Sequence, residues 1–293
     1  MSKDIDPPLL NRNVTLISVP AIGLLLAAVI IIVWIVLHNI ELETRRQAVK
    51  SLETMVSFTN SSIREIWAEG HLLDAKIWAS DPRLVQAVKK QLRNPKQGTP
   101  LANSKALTEI REYFRDKLKQ RDAIGIFIIA QNLQNIASMR DANVGLANPL
   151  AKHQKTLLSE VFDGKAKISH PIPSNVPLRN KSGFLVNHYP TMFALTPIKD
   201  SYGNIIAALS VRIDPLHNFS RLAKLGRLGY SGETYLFSSQ GKMLTESRFE
   251  TQLIDIGLLK PDLSSILTID IRNPGINLTL GTRSKLAREL QPL

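Results

Sequence analysis

The hydrophobic pattern begins with an uncharged run of 24 residues, from Val14 to Leu37. A run of this length spans the hydrocarbon core of a membrane as a helix. Trp34 lies near its end, where an aromatic ring suits the membrane interface. The run exceeds the apolar part of a signal peptide, and no small-residue cleavage site follows it. We therefore predict a short tail, 1–13, and an uncleaved transmembrane helix, 14–37, with the lipid bilayer as a partner.

A heptad repeat follows the apolar run. Its apolar positions, separated alternately by three and four residues, include Val49, Leu52, Val56, Ile63, Ile66, Leu73 and Ile77. This spacing predicts a long juxtamembrane helix over 38–80. It favours an apolar stripe that packs on the chain's own domain, and a homodimer formed through the same helix is the alternative. Gly70 weakens the middle of the helix and predicts a bend.

Helices and then strands fill the rest of the chain. Asp81 and Pro82 suit the N-cap and first turn of a new helix, and another amphipathic helix is expected over 104–120. The hydrophobic period then changes to two, in hairpins over 124–140 and 186–213. Since antiparallel hairpins come after a run of helices, we predict an α+β fold rather than a doubly wound parallel sheet.

The pattern is weaker between and after these hairpins. It predicts one helix over 149–162, a weak strand over 167–171 and a loop over 174–182. After residue 215 a helix and a hairpin recur in a shorter copy, with strands predicted over 234–238, 242–246, 267–271 and 278–281. We therefore divide the chain after the long helix into a larger module, 81–215, and a smaller module, 216–293.

Composition removes several classes of function. The chain has no cysteine, which excludes a disulfide framework, a thiolate metal site and a cysteine nucleophile. Its six histidines lie far apart in sequence, so we expect no metal site. Ser239 and Lys242 have the spacing of a serine acyl-enzyme but lie in a predicted turn. A membrane-anchored hydrolase would rest on these two residues alone, and we expect no enzyme and no catalytic residue.

The charge balance points to anions without identifying them. The formal net charge is +12 at pH 7, an excess that attracts phosphates, anionic lipids or acidic ligands. Basic stretches over 89–93 and 111–121 lie on predicted helices. We interpret them as solvated helix faces, so no nucleic-acid partner is expected.

One stretch carries a family resemblance. The run from Arg227 to Phe249, RLGYSGETYLFSSQGKMLTESRF, resembles the GxTGETYLxDxxGxxLxESRF motif of Cache sensors. These are extracytoplasmic PAS-like domains of bacterial transmembrane receptors. The segment from Met192 to Pro215 is similar to the close of the first module in the double-Cache form. The order of anchor, long helix, larger module and smaller module matches that family across nearly the whole chain.

The resemblance implies two PAS-like antiparallel-sheet modules, the larger distal to the membrane and the smaller proximal to it. It also implies a single-pass protein of the bacterial inner (cell) membrane with its sensor domain outside the cytoplasm. Such a domain is the sensory half of a receptor such as a diguanylate cyclase, kinase or chemoreceptor. Family members continue into more strands, a second membrane helix and an output domain. We therefore expect the smaller module to be incomplete.

A small-molecule ligand without a cofactor is the partner that the resemblance implies. The candidate ligand-binding residues are polar groups on predicted strands: Arg140, His188, Tyr189 and Arg212. If either arginine faces the pocket, we expect a carboxylate or phosphate ligand, because arginine offers a bidentate fork. Amino-acid-binding members carry an aspartate at the position aligned with Leu209, so we do not expect an amino acid. The alternative function is a membrane-anchored partner-binding or structural protein without a ligand.

Overall fold

The structure is a computed structural model that describes residues 11–94, 99–121, 123–180, 183–226 and 232–273. The chain forms two compact units, Met1–Met55 and Val56–Leu293. The described part of the first unit is helical, and its residues 21–54 are all exposed. The helical segment Ala21–Ser80 is long and apolar enough to cross a membrane, by length and composition. This agrees with the predicted transmembrane helix.

The long helix has an irregular turn where it enters the second unit. Helix α1, Asn11–Ser61, is followed by a π-helical turn, Ser62–Ala68, and then by α2, Glu69–Ser80. A π turn holds one more residue than a regular turn, so it shifts the faces of the helix beyond it. The irregularity therefore lies just before Gly70, the residue that predicted a bend.

This shift divides the predicted apolar stripe. Within the π turn, the heptad residue Ile63 is buried as expected, whereas Val56 before the turn is 59% exposed. Later in the turn and in α2, the buried residues include Trp67, Leu72 and Trp78, whereas the heptad residues Ile66 and Ile77 are 73% and 57% exposed. Packing on the chain's own domain is thus made by a different stripe from the one that a continuous heptad predicts.

Three helices follow: α3, Pro82–Arg93; α4, Thr99–Ala102; and α5, Lys105–Gln120. The Asp81 carboxylate accepts a hydrogen bond from the Arg83 backbone N–H at 2.9 Å, which confirms the predicted N-cap of α3. Ser104 caps α5 in the same way, with its Oγ accepting from the Leu107 N–H at 3.0 Å.

The main sheet is antiparallel throughout and confirms the α+β class. The strands in chain order are β1 Gly125–Ile129, β2 Asn135–Ser138, β3 Lys167–Ile168, β4 Ile172–Pro173, β5 Leu178–Arg179, β6 Leu185–Val186, β7 Pro190–Lys199 and β8 Ile205–Ile213. The main sheet has the order β2-β1-β8-β7-β3, and β4 also pairs with β7. Both predicted hairpins are present, as β1–β2 and β7–β8.

The main sheet buries both faces. On the helix face, Leu209 and Ile128 pack in one cluster with Phe114 of α5 and the long helix. On the opposite face, Phe127 and Phe193 pack with two short helices, α6 Pro149–His153 and α7 Lys155–Phe162. The single helix predicted over 149–162 is therefore wrong. Gln154 interrupts it with an extended φ of −147°, and its side-chain amide donates to the His170 carbonyl at 3.0 Å.

The loop predicted over 174–182 contains a strand. β5 pairs with β6 in a two-stranded sheet that is separate from the main one. We call this hairpin, residues 178–186, the flap. Its tip carries two exposed apolar side chains, Phe184 at 70% and Leu185 at 64% exposure.

The described residues of the predicted smaller module, 216–293, lie mostly in turns. It begins with a π-helical turn, Pro215–Phe219, and α8, Ser220–Leu225, and it contains α9, Glu250–Asp255. The strands predicted after residue 233 appear only as isolated bridges, such as Phe237 with Met243. The Leu236 backbone N–H donates to the Thr245 hydroxyl at 3.0 Å, so a side chain replaces a backbone carbonyl as the acceptor of one hydrogen bond between these two segments. The predicted strand 278–281 lies outside the described residues.

Candidate ligand-binding site

The register of the main sheet places a set of polar residues on the face that carries Phe127 and Phe193. Alternate residues of a strand point to the same side of a sheet. Ser210 is paired with Phe127, and Arg212 with Phe193, so the two residues lie on this face of β8. We call it the Arg212 face.

Arg212 is the charged residue buried deepest in this face. It is 4% exposed, and its guanidinium carbon lies 4.9 Å from the ring centroid of Phe127 and 5.7 Å from that of Phe193. Such cation–π contacts hold the guanidinium in place. Its Nη2 is buried and has no hydrogen-bond partner within the described part of the chain. Burial and, secondarily, the positive charge of Arg140 lower the pKa of Arg212 to about 10, so it remains a cation at neutral pH.

Other buried polar atoms around Arg212 also have unused hydrogen-bonding capacity. The Oγ of Ser210 and the Oγ1 of Thr191 make no hydrogen bond to any described residue. Thr191 lies two residues before Phe193 on β7 and so shares the Arg212 face. The amide of Asn143 donates to Ser138 Oγ at 3.4 Å, and its Oδ1 is left without a partner among the same residues. Most buried polar groups in folded proteins are paired, so these unpaired atoms make the Arg212 face the candidate ligand-binding site.

Arg140 follows β2 and stands at the edge of this group. Its side chain is exposed, and its Nη1 donates to the Pro177 carbonyl at 3.2 Å. Its backbone N–H donates to Ser138 Oγ at 3.3 Å. Arg140 therefore ties the end of β2 to the segment that leads into the flap, and it adds a second positive charge beside Arg212.

His188 and Tyr189, the other two predicted site residues, lie elsewhere. Both come before β7 begins at Pro190, so neither is on a strand, and His188 has a left-handed φ of 57°. The Tyr189 hydroxyl donates to the Asp214 carboxylate at 3.1 Å. Its burial and this carboxylate raise the pKa of Tyr189. The two residues line a cavity of about 560 Å³ whose lining does not include Arg212.

The structure corrects the use of Leu209 as a reason not to expect an amino-acid ligand. Leu209 packs in the helix-face cluster, on the opposite side of β8 from Ser210 and Arg212. It therefore says nothing about which ligand the Arg212 face accepts. The sequence analysis also missed Ser210 and Thr191. The alternation of polar Ser210 and Arg212 with apolar Leu209, Val211 and Ile213 along β8 is the signal that could have found Ser210.

Catalytic chemistry finds little support in the described residues. The Lys242 ammonium forms an ion pair with Asp270 at 2.6 Å, so it is engaged away from Ser239. Among the residues that the structure describes, no group of three or more His, Cys, Asp or Glu side chains could hold a metal ion.

No protein-family model and no curated protein matches the sequence. Solved structures that are similar include the sensor domain of DcuS from E. coli, with 16% identity, a TM-score of 0.36, and coverage of 54% of this chain and 92% of that one. The sensor domain of the histidine kinase DctB from V. cholerae has 13% identity, a TM-score of 0.46, and coverage of 72% and 75%. The ligand-binding domain of the Pseudomonas aeruginosa PAO1 amino-acid chemoreceptor PctC, in complex with GABA, has 12% identity, a TM-score of 0.37, and coverage of 67% and 74%. All three are described as sensor or ligand-binding domains.

Proposed function

We propose that this chain is the sensor domain of a membrane receptor and that it binds a small anion at the Arg212 face. One observation carries the proposal: the guanidinium of Arg212 is buried and charged, and its Nη2 is unpaired among the described residues. A buried charge is costly unless a partner of opposite charge or a set of hydrogen bonds compensates for it. A bound carboxylate or phosphate supplies both.

The groups around Arg212 favour an oxyanion. Arginine binds carboxylates and phosphates in a bidentate geometry, and the hydroxyls of Ser210 and Thr191 offer further donors on the same face. Arg140, which is held at the edge of this face by its hydrogen bond to the Pro177 carbonyl, adds positive charge beside Arg212. A small carboxylate or phosphate is therefore the ligand class that we propose.

β8 offers a route from this site to the long helix. Arg212 faces the proposed ligand, while its neighbours Val211 and Ile213 pack in the helix-face cluster with Trp67 and Trp78. A ligand that moves β8 therefore acts directly on residues that contact the helix. We propose that this contact passes the signal toward the membrane, in a receptor of the kinase, chemoreceptor or diguanylate cyclase type with its sensor domain outside the cytoplasm.

We further propose that two chains pair through the exposed side of the helix. Ile66, Leu73 and Ile77 are 73%, 58% and 57% exposed at spacings of seven and four residues, which suit a helix–helix seam. Light scattering of the purified chain in detergent tests this: Leu73→Glu is expected to convert a dimer to a monomer, and a wild-type monomer would rule the pairing out.

The experiment that tests the anion site is calorimetric titration of the full chain in detergent micelles with acetate, succinate and inorganic phosphate. We expect one of these anions to bind, and Arg212→Gln to weaken its binding by about tenfold or more, as expected for a lost charge-assisted hydrogen bond. Ser210→Ala, which leaves the charge in place, is expected to weaken binding by less.

Arg115→Gln is the matched control, because Arg115 is exposed on α5, outside the Arg212 face. It is expected to leave the affinity unchanged. Unchanged binding after both Arg140 and Arg212 are replaced by Gln would overturn the proposed site. If no anion binds the wild-type chain, the partner-binding alternative takes its place, with the exposed side of the long helix as the surface to test.

A further inference from the structure

The cavity lined by His188 and Tyr189 lies where the larger and smaller modules meet. Its walls come from the flap and the start of β7 on one side and from residues 261–268 on the other. Its volume of about 560 Å³ is within the range of small-molecule sites. We call it the junction cavity.

The floor of the junction cavity is apolar and well packed. Tyr189, Leu216 and Ile266 belong to one buried cluster and are at most 7% exposed. Because the Tyr189 hydroxyl is engaged with Asp214, the tyrosine contributes the apolar surface of its ring. The floor therefore suits the apolar body of a ligand.

The rim of the cavity carries unbalanced negative charge. Its ammonium group, from Lys242, is already neutralised by Asp270 at 2.6 Å. Two carboxylates, Glu250 and Asp262, also line it. Glu250 accepts from the backbone N–H and hydroxyl of Ser265, both at 2.7 Å, and these neutral donors leave its charge in place. Asp262 is exposed and has no hydrogen-bond or ion-pair partner within the described ranges.

His153, one of the two histidines of the lining, does not balance this charge. Burial, together with the positive charge of Lys152, lowers the pKa of His153, which keeps its imidazole neutral at pH 7. His188 is exposed at the rim. Among the described residues of the lining, a ligand with a positive group therefore finds carboxylates without a competing free ammonium.

Two features of the backbone also mark the junction cavity. His188 and Leu267 both line it and have left-handed φ values of 57° and 62°, which side chains of their kind rarely adopt. Such strain persists where the surrounding structure enforces it, and it concentrates at binding sites. The flap supplies Asn180 and Val186 to the wall.

We infer that the junction cavity is a second small-molecule site, selective for amines with an apolar body. This goes beyond the proposed anion site, because it concerns a different cavity and a ligand of opposite charge. Its occupation would bridge the two modules, since both contribute to its walls.

Titration of the full chain in detergent with 2-phenylethylamine and with phenylacetate tests this, because the two probes share a ring and differ in charge. We expect the amine to bind and phenylacetate to bind more weakly at this site. Asp262→Asn is expected to weaken amine binding by about three- to fivefold, the scale of an exposed ion pair. Thr268→Trp, which adds a ring at an exposed wall residue, is expected to abolish it.

Asp255→Asn is the matched control, since Asp255 is exposed in the same module but does not line the cavity. It is expected to leave amine binding unchanged. The inference is overturned if the amine does not bind, or if Asp262→Asn and Thr268→Trp both leave its affinity intact. Arg212→Gln separates the two proposals: it is expected to impair anion binding and to leave 2-phenylethylamine binding unchanged.

Discussion

On the helix face of the sheet, the buried side chain of Gln91 uses every hydrogen-bonding group it has, whereas on the Arg212 face buried polar atoms are left unpaired. The Gln91 amide donates to the carbonyls of Leu101 at 3.1 Å and Ile136 at 2.7 Å. Its Oε1 accepts from Asn94 and from Ser104, the residue that caps α5. Arg212, by contrast, is equally buried and has an Nη2 without a partner in the described chain.

The difference separates a polar group that stabilises the fold from one that, in our proposal, is held for a ligand. Gln91 connects α3, α4 and β2, and its bonds are complete without any other molecule. The unpaired atoms of the Arg212 face lose hydrogen bonds to water on folding and gain none from the described chain, so they lower stability. Proteins often keep such a cost where binding requires it. Stability measurements can therefore test the functional assignment.

The largest expected change in the free energy of unfolding comes from replacing Gln91 on the helix face. Gln91→Leu leaves two buried carbonyls and the Asn94 amide without their partner, and we expect the free energy of unfolding to fall by about 2 kcal/mol. Urea denaturation of the full chain in detergent, followed by tryptophan fluorescence, measures it. Gln252→Leu, at an exposed position of α9, is the control and should change the value little. An equal loss in both variants would remove the contrast between the two faces.

On the Arg212 face, we expect a substitution to raise the free energy of unfolding rather than to lower it. Arg212→Met keeps a long apolar side chain against Phe127 and Phe193 but removes the buried charge. Without ligand, we expect the free energy of unfolding to rise by about 1 kcal/mol, because replacing buried charges by apolar groups is often stabilising. The same denaturation experiment measures it, with Arg115→Met as the exposed control. A fall of 1 kcal/mol or more would mean that Arg212 serves the fold rather than a ligand.

Much of this architecture is accessible from sequence because it depends on local periodicity. The alternation along β7 and β8 predicted the strong hairpin, and the Asp81-Pro82 pair predicted a helix start. The same alternation places Arg212 on one face, although it does not reveal that its Nη2 is unpaired. That property depends on which side chains arrive from β1, β7 and the segment after β2.

Features that depend on a single hydrogen bond, or on packing between residues distant in sequence, could not be predicted from the sequence. The π turn at Ser62–Ala68 adds one residue and moves the buried face from Ile66 to Trp67, and no periodic pattern announces such an insertion. The sequence pattern groups His188 and Tyr189 with the arginines because it predicts all four on strands. Strand β7 begins only at Pro190, so these two residues turn toward the smaller module and the junction cavity instead.

The smallest expected effect on the free energy of unfolding is at Asp81. Its charge is paired with Arg83, unlike that of Arg212. The hydrogen bond from the Arg83 side chain is the main cause that lowers the pKa of Asp81 to about 2 from its usual 3.8. Because the folded state favours the carboxylate, its contribution to stability is complete above pH 4 and is lost as the pH falls toward 2. Asp81→Ala, which removes both this charge and the N-cap, is expected to lower the free energy of unfolding by about 1 kcal/mol at pH 7 and by less at pH 2. Guanidinium denaturation at the two pH values measures the difference, and Asp81→Asn, which keeps a capping side chain, should lose less. If the wild type and Asp81→Ala differ equally at pH 7 and pH 2, the carboxylate of Asp81 contributes no charge-dependent stability to the start of α3.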